Sequence, residues 1–117
     1  MAKERSFAKV NGTDVATNAA PDKTIFAAPA TGSLRLCRGS ISVLVAAVGG
    51  GGEAVLEDGL NGTKILRVAA PTTREFAFDF GDDGYPLTAM TLLNLTVEGA
   101  VTTQATAQCT AVGFIQT

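Results

Sequence analysis

The two thiols of this chain, Cys37 and Cys109, are its strongest nucleophiles, and no histidine stands anywhere among the 117 residues to activate them. A Cys-His or Ser-His pair is therefore out of reach, and the commonest general base near neutral pH is missing. The thiols are 72 positions apart, with no CxxC spacing and no histidine to complete a zinc site. They read as small apolar packing groups that stay reduced. Only if the first long strand and the last lie side by side would the two sulfurs become neighbours. Asp79, Asp82 and Asp83 gather around a turn and offer oxygens at a spacing calcium uses. The EF-hand spacing is absent, however, and acidic pairs in turns are ordinarily solvated caps. A two-carboxylate hydrolase could draw on Glu53, Glu57, Asp58, Glu75 and Glu98, but nothing places two of them across a cleft. The expectation is a non-enzymatic protein with no catalytic residues, no cofactor and no metal.

The run Gly49-Gly50-Gly51-Gly52 raises a second kind of chemistry, because glycine loops cradle phosphates. A P-loop needs a lysine and a helix N-terminus directly after its glycines. Here Glu53 follows and a strand resumes, so the run reads as the tip of a hairpin. The Asn-x-Thr triplets at Asn11, Asn61 and Asn94 match a glycosylation acceptor pattern in form only, as products of Thr-rich strands and an Asn-Gly turn.

These residues must be positioned by strands. Residues 1–23 are polar and small and read as an extended N-terminal arm, and residues 24–117 as one β-domain. In Leu34 to Val48 a long strand puts Cys37, Ile41, Val43 and Val45 on one side and Arg38, Ser40 and Ser42 on the other, with a bulge or bend expected at Gly39. Glu53 to Asp58 and Thr63 to Val68 flank the Asn61-Gly62 turn. In Arg74 to Phe80 the alternation points Phe76, Phe78 and Phe80 inward, and these rings are the expected centre of the core. Leu93, Leu95 and Val97 alternate with Asn94, Thr96 and Glu98, expected to face water. The last strand, from Val101 to Ile115, sets small residues against Thr and Gln. No window holds a helical period, and seven or eight short strands between Gly, Pro and Asn turns predict an all-β, antiparallel, jelly-roll-like sandwich.

A net charge of −2 gives no positive field for nucleic acid or anionic lipid, and no stretch reaches the roughly 20 apolar residues of a membrane-spanning helix. The N-terminus has no apolar run behind Lys3 and Arg5, so synthesis in the cytoplasm is expected.

The order of these pieces resembles small β-sandwich decoration proteins, also called cement or head-stabilising proteins, of tailed bacteriophages. The likeness runs over about residues 24–117 and is carried by Ser33-Leu34-Arg35-Leu36, Ile41 to Val45, Ala54 to Gly59, Phe78-Asp79-Phe80, Asp83 to Thr88, Leu92 to Leu95 and a Thr- and Ala-rich last strand. It is a likeness of layout and turn style. The resemblance implies a subunit on the capsid exterior, dimeric or trimeric, that bridges major capsid proteins and stabilises the head. It also implies that residues 1–23 act as a capsid-contacting arm, with Lys3, Arg5 and Lys9 meeting acidic surface and Phe7 as the apolar anchor. The alternative is a receptor- or carbohydrate-binding sandwich of a phage tail or fibre.

Overall fold

In a computed structural model the described residues are 8–17, 22–45, 53–69, 74–98 and 105–117. They form nine strands: β1 (Ala8–Thr17), β2 (Asp22–Phe26), β3 (Ser33–Val45), β4 (Glu53–Asp58), β5 (Thr63–Ala69), β6 (Arg74–Asp79), β7 (Tyr85–Pro86), β8 (Leu93–Glu98) and β9 (Ala105–Gln116). One sheet runs β1-β9-β3-β6, with β7 pairing β3, and the other runs β2-β8-β4-β5. All pairings are antiparallel, and the two sheets enclose one core as a β-sandwich.

The core lies between the inner strands. Leu34, Leu36 and Ile41 of β3 meet Leu56 of β4 and Leu93 and Leu95 of β8, all fully buried. Each such side chain contributes about 1.5–3 kcal/mol through burial. The three phenylalanines therefore do not form its centre. Phe78 is buried, Phe76 half-buried, and Phe80 lies beyond the end of β6, 36% exposed. Among the described residues β6 is an edge strand, so its rings sit at the margin of the core, where Phe80 packs on Phe78 and Tyr85.

Part of the expected arm belongs to the sheet. Residues 8–17 form β1 and pair with β9 from Ala8↔Ile115 to Thr17↔Thr106, with Ala16 fully buried. The inward face of β1 carries Val10, Gly12, Asp14 and Ala16, too small and too polar to print a hydrophobic period. Gly12 is required here: a Cβ would stand 2.0 Å from the Ile25 carbonyl oxygen, so β1 closes on β2 through bare backbone.

The long strand β3 is bulged, at Cys37 rather than Gly39. Leu36 pairs with Gly113 and Arg38 with Val112, leaving Cys37 as the extra residue. The bulge switches the buried parity from Leu34 and Leu36 to Ile41 and Val43. The glycine run is not a hairpin tip either. β3 and β4 belong to different sheets, so residues 46–52, which lie outside the described residues, join the two layers. The hairpin at Gly59–Gly62 is present, with Asn61 at φ 58° and Gly62 N donating to Gly59 O at 3.0 Å.

Candidate functional surface

Of the expected capsid-contacting residues, Lys3, Arg5 and Phe7 lie outside the described residues. Lys9 lies in β1, its Cα paired with that of Phe114. Because Ala8 pairs with Ile115, residues 1–7 join β1 at the end of the sandwich where β9 finishes.

On the outer face of the five-stranded sheet, the Cys37 bulge directs Arg38 toward the turn after β6. Arg38 Nη2 donates to Asp82 Oδ1 at 2.9 Å, and its Nε lies 3.6 Å from Asp79 Oδ1. The hydrogen bond that the guanidinium donates to Asp82, together with the charge of Asp79, raises the Arg38 pKa above its ordinary value. The turn is tied back to β3 by Phe80 N, which donates to Cys37 O at 2.7 Å, and by the Cys37 thiol, which donates to Asp82 O at 3.7 Å, and it closes locally where Gly81 N donates to Asp79 Oδ1 at 2.7 Å. The acidic turn that resembled a calcium loop thus turns two of its carboxylates on an arginine. Among the described residues no group of three or more His, Cys, Asp or Glu side chains is placed to hold a metal ion.

Two shallow clefts flank Arg38. One, of about 370 Å³, is lined by Asn11, Cys37, Arg38, Asp82, Val112 and Phe114. The other, of about 450 Å³, lies over Ser40, Ala77, Phe78, Asp79 and Thr110. At the second cleft the Thr110 hydroxyl lies 3.2 Å from that of Thr13, across β9 and β1.

The long strands do lie side by side, but the register parts the thiols. Cys109 sits opposite Ile41, four residues from Cys37, and both cysteines are buried and outside any disulfide. Burial pushes the Cys109 thiol up to about 12 from its ordinary value of 9.0. Below pH 9 the thiol is protonated whether the chain is folded or not. Between pH 9 and about 12 the unfolded chain releases a proton that the folded chain keeps, so this thiol's contribution to stability is lost as pH rises through that window. The stability gap between wild type and Cys109→Ala, read from urea melts, is therefore expected to narrow from pH 9 upward. A gap constant to pH 11 refutes this.

A second polar cluster crosses the other sheet. Leu56, Leu93 and Leu95 face the core, while Val55, Glu57, Asn94 and Thr96 alternate with them toward the opposite face. These four are buried as well, against the expectation that Asn94 and Thr96 face water. Lys64 Nζ donates to Glu57 Oε2, and Asn94 Nδ2 donates to Glu57 Oε1 at 2.8 Å and to Asp22 Oδ1 at 3.1 Å. One residue from each of β2, β8, β4 and β5 thus joins a single network. Strand alternation could not reveal it, because the pattern separates the faces without saying which is covered.

At the end where residues 1–7 join β1, two turns carry large apolar side chains that the sequence reading passed over. Leu60, in the β4–β5 turn, and Met90, in the loop between β7 and β8, are each 58% exposed. No protein-family model matches this chain. No curated protein matches it either.

Proposed function

We propose that this chain is a non-enzymatic structural protein that binds the outside of a phage capsid, bridges major capsid proteins and stabilises the head. The carrying observation is the sandwich's layout. The strand orders β1-β9-β3-β6 and β2-β8-β4-β5 set chain-distant strands side by side in both sheets, which supports a jelly-roll-like reading, the architecture of the decoration proteins it resembles. Supporting it, residues 1–7 join the sandwich at one end, so Lys3, Arg5 and Phe7 have a defined starting point from which to reach a neighbouring subunit. In this reading Lys3, Arg5 and Lys9 meet acidic capsid surface and Phe7 is the apolar anchor. The protein acts as a homotrimer or homodimer on the capsid exterior, and modest interfaces repeated over a shell add up to stable attachment.

The test is to add purified protein to phage heads assembled without it and to measure occupancy and the temperature at which the heads release DNA. Saturable binding with later release is expected, and binding weakened about tenfold or more for a chain lacking residues 1–7. Heads that stay bare and release DNA at an unchanged temperature sink the proposal.

A further inference from the structure

We infer that the end of the sandwich bearing Leu60 and Met90 is a docking tip that inserts into an uncharged apolar recess of a partner protein. It rests on the capsid reading, in which that partner is the major capsid protein. The two side chains project from neighbouring turns that are held on both sheets. Gly59 N donates to Leu92 O at 2.9 Å, Met90 N to Gly32 O at 2.8 Å, and Thr88, through both N and Oγ1, to the Asp58 carboxylate. Such anchoring makes the tip a rigid display, which lowers the entropy lost on docking.

Backbone conformation gives an independent reason. Met90 sits at φ 55°, in the left-handed region that a long side chain rarely adopts, with its side chain in solvent. Strain kept at an exposed position points to a task for the side chain rather than for the fold. The surroundings choose the partner. Ala28, Ala30, Thr31, Thr88 and Ala89 are exposed on the segments around them and carry no charge, and the nearby Asp58 carboxylate is taken up by Thr88, which matches the charge-depleted, methionine-enriched centre of a protein interface. A lipid surface would call for flanking Lys or Arg, which these turns lack. Two side chains and a few alanines fall well short of the roughly 800 Å² per partner of a stable free dimer. The tip therefore suits one contact among several made at once on a lattice, on the same end from which residues 1–7 depart.

The experiment compares wild type, Met90→Gly and Leu60→Ser for occupancy on undecorated heads, with Tm measured in parallel. Glycine removes the side chain and relieves the backbone, so Met90→Gly should melt at an equal or higher temperature yet bind at least about tenfold more weakly. Leu60→Ser should keep its Tm and lose occupancy similarly. Wild-type binding with both variants binding equally well overturns the tip while leaving the capsid reading intact. Wild type that does not bind overturns both. Mass photometry and vesicles of phosphatidylcholine with phosphatidylserine complete the test: loss of self-association, or of vesicle binding, in the two variants would assign the tip to a second copy or to lipid and overturn the proposal.

Discussion

Lys64→Met is expected to lower the stability of the folded chain by about 3 kcal/mol, as measured by urea denaturation. Glu57 is fully buried, and its carboxylate is held by Lys64 on one oxygen and Asn94 on the other. Removing the ammonium leaves a buried anion with one neutral donor. The Lys64 side chain is 28% exposed, which puts the expected loss at the lower end of the range for broken buried pairs. The double variant Glu57→Leu, Lys64→Met removes both charges and fills the space with apolar atoms. It should regain at least half of the loss, because the cost lies in orphaning one partner rather than in lacking the pair. A single variant within about 0.5 kcal/mol of wild type, the level of an ordinary surface change, would mean that the network is solvated and contributes nothing.

Deleting residues 1–20 should abolish cooperative unfolding altogether, whereas deleting residues 1–7 should leave the melt intact. The longer deletion removes β1, and with it the backbone partner of β9 from Thr106 to Ile115. A net contribution of about 1 kcal/mol per hydrogen bond along a strand of ten residues is comparable to the whole stability of a small domain. It also opens the β1 flank of Ala107, Cys109 and Ala111, buried residues whose partners in β1 are Ala16, Asp14 and Gly12. A cooperative thermal transition in the chain lacking residues 1–20 would show that β1 is dispensable. For the capsid proposal the consequence is practical: only the shorter deletion separates lost attachment from lost fold.

Much of the architecture was legible from residue alternation. Arg74 to Asp79, Leu93 to Glu98 and the polar and small faces of β9 printed their period directly, and Asn61 marked its turn. β1 was hidden because Gly12 and Asp14 occupy inward positions, where glycine is chosen for close approach and not for hydrophobicity. The bulge was misplaced for a related reason. Glycine is the usual sign of one, yet Gly39 is small because a Cβ would lie 2.1 Å from Thr110 O, and the extra residue is Cys37. The Asp79–Asp82 turn was visible, but its partner Arg38 comes from a strand some 40 residues earlier, a pairing that only register supplies. Leu60 and Met90 carry no signal of a role in the sequence, since sequence does not reveal which apolar side chains remain outside.

The placement of β9 between β1 and β3 also constrains how the chain reaches this state. Ala8 finds its partner at Ile115, so β1 cannot hold its place in the sheet before β9 arrives, whereas β3 also pairs with β6 and β7 and is joined to β1 only through β9. Nearly the full length of polypeptide must be looped before the β1–β9 pairing returns any free energy. The five-stranded layer is thus completed late, on the slow, millisecond-to-second scale of non-local β topologies. Until then the small-residue face of β9 and the leucines of β3 are open to other chains, so crowded synthesis is where this domain is most exposed to misassembly.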